Sequence, residues 1–84
     1  MKKHTKIYFL YFDYGMDSFI PCELCGSRAV DIHHIDCRGI GGSNDKDSID
    51  NLMALCRSCH IEYGDKKEHT AMLKSIHLLK VLKH

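Results

Sequence analysis

Cys56-Arg57-Ser58-Cys59-His60 decides how the rest of this chain is read. Taken alone, Cys-x-x-Cys-His is the pattern through which haem is attached covalently, while Cys-x-x-Cys is also half of a four-thiolate metal site. The two readings make different demands on the remaining sequence. Covalent haem needs an oxidising compartment and leaves the other cysteines unexplained. A metal knuckle needs a second Cys-x-x-Cys, which Cys22-Glu23-Leu24-Cys25-Gly26 supplies. Gly26 then provides the positive-φ turn after the second cysteine. Thiolates from Cys22, Cys25, Cys56 and Cys59 are enough to close a tetrahedral structural Zn²⁺ site. A finger with two cysteines and two histidines does not fit, because no histidine pair follows the cysteines at its spacing. Zinc accounts for both pairs and haem for only one. Cys37 is left over and reads as a free thiol in a loop.

A metal is also what a chain of this size calls for. Eighty-four residues make one small domain, whose core needs help from a metal, disulfides or a partner. There is one proline, no low-complexity tract and no internal repeat, so neither a linker nor a second domain is expected. The formal charge of +1 is neutral evidence on an acidic partner, since local patches matter more than the sum. Lys2 and Lys3 precede Ile7-Tyr8-Phe9-Leu10-Tyr11-Phe12, but this run is too short and too tyrosine-rich for a secretory signal core. It is also far too short to span a membrane. A cytoplasmic location is expected, and with it metal-bound thiolates rather than disulfides.

On either side of the two knuckles the pattern predicts a small α+β unit. Residues 6–14 read as a short aromatic helix ending near Gly15, with Tyr8, Tyr11 and Phe12 as core. Ala29 to Ile35 reads as a strand. A polar loop, Arg38 to Asn51, carries Gly39, Gly41 and Gly42. Leu52 to Leu55 reads as the returning strand of a long-looped hairpin. A helix is expected from about Cys56 to Gly64, with the glycine as its stop signal. Asp65-Lys66-Lys67-Glu68 has the form of a capping box, and Met72, Leu73, Ile76, Leu79 and Leu82 then repeat at helical spacing. This gives one domain: an N-terminal segment at 1–18, a zinc-bound core at 19–64 and a packing helix at 65–84.

His33 and His34 are adjacent on the first predicted strand, so their side chains point to opposite faces and do different work. Asn51 opens the return strand, and His60, one residue beyond Cys59, points away from the zinc and is available for another ligand.

Together, CELC, DIHHID, GIGG and NLMALCRSCH resemble the HNH endonuclease family, in order and spacing over about Phe19 to Gly64. The likeness is to small phage-type HNH proteins in particular. It implies a ββα-metal (His-Me finger) fold, in which a hairpin and a helix hold one catalytic divalent cation against DNA phosphate and a four-cysteine zinc ties them together. By this resemblance His33 is the first ligand of the catalytic cation and His60 the helix-borne one. His34 is the general base, and Asn51 orients the loop and through it the base. Some members carry a further histidine four residues after the helix ligand, where this chain has Gly64. Two protein ligands, completed by water and phosphate, suit Mg²⁺ or Mn²⁺ rather than Zn²⁺ or Ni²⁺.

The chemistry agrees with these roles. A neutral imidazole with a pKa of about 6.5 can take a proton from water, and a cation offsets charge developing on phosphate. Arg28, Arg38, Lys46 and Arg57, with Lys66 and Lys67, are the expected phosphate contacts. Asp31 is expected to be a plain solvent-facing strand residue rather than an outer-shell partner of a histidine. The expected function is a metal-dependent DNA endonuclease, nicking or cutting both strands. The rival class is a non-catalytic zinc module that binds nucleic acid or protein and has no need of His33, His34, Asn51 and His60 as a set. DNA is the expected partner and a monomer or weak homodimer the expected state; double-strand cutting takes a dimer or two successive nicks. Phage DNA packaging, restriction or a mobile element as the setting, and a host cytoplasm as the location, come from the resemblance alone.

Overall fold

The computed structural model describes residues 2–36, 48–64 and 66–84. Cys37, Arg38, the glycines at 39, 41 and 42, and Lys46 lie outside the described residues, as does Asp65. In chain order the elements are α1 (Lys3–Phe12), β1 (Asp31–His34), a 3₁₀ turn (Ile49–Asn51), β2 (Leu52–Leu55), α2 (Arg57–Cys59) continued by a π turn (His60–Gly64), a 3₁₀ turn (Lys67–His69) and α3 (Thr70–Lys83). This is a small α+β arrangement consistent with a ββα-metal fold.

The returning strand organises it. β1 and β2 pair antiparallel, with Asp31 opposite Leu55, Ile32 opposite Ala54, His33 opposite Met53 and His34 opposite Leu52. All four residues of β2 are completely buried, because both faces of the hairpin are covered. Leu52 and Ala54 pack with Tyr8 and Phe12 of α1. Met53 and Leu55 pack with Cys22, Cys59, Ile35 and Leu73 on the other side. A strand buried on both faces reads as a continuous apolar run, which is why LMAL shows no alternation.

α1 starts at Lys3 and ends earlier than Gly15. Asp13 adopts the left-handed conformation (φ 64°), and the Tyr14 amide donates to the Phe9 carbonyl at 2.8 Å, closing a Schellman-type cap. An aspartate tolerates that backbone better than most side chains, so glycine was not needed. The first strand is shorter than residues 29–35. Ahead of it, Pro21 and Arg28 form an isolated bridge that frames the first knuckle.

The C-terminal helix differs most from expectation. It starts at Thr70 after the 3₁₀ turn, and Lys66, which caps that turn, makes no side-chain cap bond. Its buried residues are Leu73 and His77, whereas Leu79 and Leu82 are 57% and 79% exposed and Met72 is also exposed. The inward stripe therefore runs through a histidine, and the strict leucine repeat lies largely toward solvent.

Candidate metal centres and catalytic site

The first centre is made of sulfur. Cys22 and Cys25 bracket a turn in which the Gly26 amide donates to the Cys22 carbonyl (2.9 Å) and Gly26 has φ 82°, as the knuckle pattern requires. Cys56 caps α2, its Sγ accepting from the Cys59 amide at 3.4 Å. The four sulfur atoms all lie within 4.8 Å of one another. Cys25 and Cys56 Sγ are 3.6 Å apart, too far for a disulfide of about 2.05 Å. That distance is close to the edge of about 3.8 Å of a tetrahedron with Zn–S bonds of about 2.3 Å. The donor set and its spacing fit a structural zinc.

The thiols are not equivalent. Hydrogen bonds from Ser27, with help from Cys56 and Cys22, lower the exposed Cys25 thiol to about 6. Burial, reinforced by the neighbouring cysteines, pushes Cys59 well above the usual thiol range. A cation among the four sulfurs favours the thiolate at every one of them.

The second centre follows from the pleat. Asp31 and His33 share the face of β1 that carries Met53 and Leu55 on the partner strand, and the π turn lies over that face. The rings of His33 and His60 stand 4.8 Å apart, centre to centre. Nε2 of His33 is shielded from solvent. Nδ1 of His60 lies 2.9 Å from Oδ2 of Asp31, and Arg57 approaches the same carboxylate at 3.7 Å. A carboxylate is an acceptor, so Nδ1–H donates and Nε2 of His60 carries the lone pair a cation needs. Asp31 is therefore not the solvent-facing residue expected: two positions before His33, it shares the face that meets His60.

Gly64 completes this pocket, for a reason the sequence did not suggest. It is not a left-handed helix stop, since the only positive-φ residues described are Asp13 and Gly26. A Cβ at 64 would lie 2.5 Å from Cδ2 of His60 and 3.5 Å from Cε1 of His33. The glycine is there because the two imidazoles occupy the space a side chain would take. The π turn brings it there, and such turns are common at functional sites.

His34 points the other way. Its cross-strand partner Leu52 belongs to the α1 side of the core, and its half-buried ring lies 4.6 Å from the ring of His4. Asn51 is buried at the base of the hairpin. Its Oδ1 accepts from the Asp36 amide (2.8 Å), its Nδ2 donates to the Asp36 carbonyl (3.1 Å) and its backbone carbonyl accepts from Ile35 (2.9 Å). This side chain continues the ladder where β1 ends, two residues beyond His34.

A family model for HNH endonuclease matches residues 22–66, more than half of the chain. The protein belongs to the HNH endonuclease family. Searches of curated proteins and of solved structures found no match. The matched segment of this HNH protein contains both cysteine pairs, Asp31, His33, His34, Asn51, His60 and Gly64, while α1 and α3 lie outside it.

Of the expected phosphate contacts, Arg28 and Arg57 are exposed, Arg28 lying 6.0 Å from the centre of the Phe19 ring. Lys66 and Lys67 are exposed beyond the π turn. Arg28 sits on the knuckle, and Arg57 lies beside Asp31 at the border of the histidine pocket.

One cluster escaped the sequence reading. Glu23, inside the first knuckle, is buried with His77 of α3, Oε1 lying 2.7 Å from Nδ1. Tyr8 of α1 donates its hydroxyl to Oε2 at 2.6 Å, and the Ala54 amide donates to the same oxygen at 3.1 Å. Nε2 of His77 donates to the Ile49 carbonyl at 2.6 Å. Because both ring nitrogens face acceptors, His77 is held as the imidazolium. Burial opposes that charge, but the Glu23 hydrogen bond and charge and the Ile49 carbonyl raise its pKa on balance. Tyr8 is pushed far above the usual phenol range by burial and by Glu23, so it stays a donor. The signals were a charged residue between two cysteines and a histidine four positions after Leu73.

Proposed function

We propose that this HNH protein is a metal-dependent DNA endonuclease that hydrolyses phosphodiester bonds, with His34 as general base and a divalent cation held by His33 and His60. The observation that carries the reading is the meeting of His33 and His60 at 4.8 Å, with Asp31 behind His60 and no side chain at Gly64 to push the rings aside. A zinc module that only binds has no use for a second pair of nitrogen ligands oriented by a carboxylate. A cation bound there supplies positive charge to the phosphate oxygens and the leaving oxygen.

The chain's own residues do the rest. Asp31 holds the Nδ1–H of His60 and so fixes the tautomer that presents Nε2. Two imidazole ligands leave room for water and phosphate oxygens, which suits Mg²⁺ or Mn²⁺. Arg57, exposed beside the pocket, supplies a positive charge for a backbone phosphate. Asn51 holds the end of β1 to the start of β2, and this keeps the backbone of His34 in place. His34 takes the proton from the attacking water. The four-cysteine zinc contributes the hairpin-to-helix geometry and takes no part in the chemistry.

The test is relaxation of supercoiled plasmid by zinc-loaded protein with added Mg²⁺, Mn²⁺, Ni²⁺ or Zn²⁺. Wild type is expected to nick with Mg²⁺ or Mn²⁺. His34→Ala should lose cleavage while keeping its zinc, fold and DNA affinity, because a general base acts in the transition state. A wild type that binds DNA but nicks with none of the four cations would place the protein among non-catalytic zinc modules.

A further inference from the structure

We infer that His4, from the N-terminal helix, is a positioning residue for His34. The inference rests on the reading of His34 as the base, and it adds to the site a residue that lies outside the segment matched by the family model.

His34 stands on a strand of only four residues, at the edge of a two-stranded sheet, and its ring is half-buried. An imidazole side chain has two bonds that set where its nitrogens point. As a base it must hold one nitrogen toward a water molecule, and small misplacements are costly in rate. The ring of His4 lies 4.6 Å from it, tilted by 54°, and so walls one side of its rotation. His4 is itself held. It begins the stripe His4, Tyr8 and Phe12, spaced four apart and therefore on one face of α1. Tyr8 and Phe12 are buried against β2, and the Tyr8 hydroxyl is bonded to Glu23. With two members of the stripe anchored in the core, helix geometry carries the third over His34. The two histidines of β1 thus each meet a second imidazole: His33 meets His60 on the knuckle side, and His34 meets His4 on the helix side.

The experiment compares wild type, His4→Ala and His4→Phe, all zinc-loaded, in Mg²⁺- or Mn²⁺-dependent nicking and in ¹H–¹⁵N spectra of the His34 ring. His4→Ala is expected to lower kcat by about tenfold with KM for plasmid little changed. Zinc content and melting temperature should stay as in wild type. The His34 ring resonances should shift and broaden relative to wild type. His4→Phe keeps a ring at the same place and should restore both the rate and the His34 signals. The inference is overturned if His4→Ala leaves the His34 resonances and kcat as in wild type. It is equally overturned if the rate falls only together with zinc or melting temperature while the His34 signals stand still, or if Phe fails to rescue. Failure of the underlying function reads differently: a wild type that nicks with no cation, or a His34→Ala that nicks normally, removes the base assignment, while the ring spectra still report whether His4 holds His34.

Discussion

Glu23 and His77 are fifty-four residues apart in sequence, yet they form a fully buried ion pair at 2.7 Å that joins the first zinc knuckle to the C-terminal helix. Tyr8 brings the N-terminal helix to the same carboxylate, and the Ile49 carbonyl ties in the turn before Asn51. A buried pair with its lone pairs and protons satisfied is tolerated, whereas losing one partner leaves a charge stranded in the core.

From this follows the first prediction. In the zinc-loaded protein, Glu23→Gln or His77→Gln should each cost about 3–5 kcal/mol of unfolding free energy. The double substitution should cost less than the sum, with a coupling of at least about 1 kcal/mol. Urea denaturation of the four proteins measures it. Strict additivity would mean that the two side chains do not act as a pair.

The pH dependence has a definite sign. The pKa of His77 is raised in the folded protein by Glu23 and the Ile49 carbonyl against the opposing effect of burial, with Asp50 adding in the same direction. The stability it contributes is therefore complete below its unfolded value of about 6.5 and fades as pH rises through the higher folded value. The difference in unfolding free energy between wild type and His77→Gln, measured from pH 5 to 9, should shrink as pH rises. Taking the difference cancels the pH dependence of the zinc thiolates. A difference that grows with pH contradicts the charged form of His77.

Gly64→Ala tests the pocket between the imidazoles. The new Cβ would meet Cδ2 of His60 at 2.5 Å, so the ring must leave the position in which it meets Asp31. A stability loss of about 1–3 kcal/mol is expected from overpacking. The affinity for Mn²⁺, followed by calorimetry, should fall by about tenfold or more, with the structural zinc retained. Unchanged Mn²⁺ affinity would separate Gly64 from the cation site.

The sulfur centre should open in a particular order. Cys25 is exposed with its thiol lowered to about 6, while Cys59 is buried and raised. Since the thiolate is the reactive form, brief alkylation at pH 7 under mild chelation should label Cys25 first and Cys59 last, as read by peptide mass spectrometry. Full zinc loading should protect all four cysteines. Labelling of Cys59 ahead of Cys25 would mean that the knuckle opens from the helix side.

The local arrangement was legible in the sequence: the two cysteine pairs of the sulfur cluster, the antiparallel pairing of two short strands, and the opposed faces of His33 and His34. These follow from short-range rules, namely the turn in a Cys-x-x-Cys-Gly and the two-residue period of a strand. Which partner each group meets was decided by the tertiary structure. Asp31 looked like a solvent-facing strand residue until the π turn laid His60 against it. Gly64 looked like a helix stop, but it lacks a side chain because two rings fill the place of one. His77 sat within a leucine repeat whose outer members turned out to face water, because an ion pair with Glu23 sets the rotation of α3. His4 met His34 only when α1 folded across β1. In each case the deciding contact joins residues brought together by packing, and spacing along the chain carries no record of it.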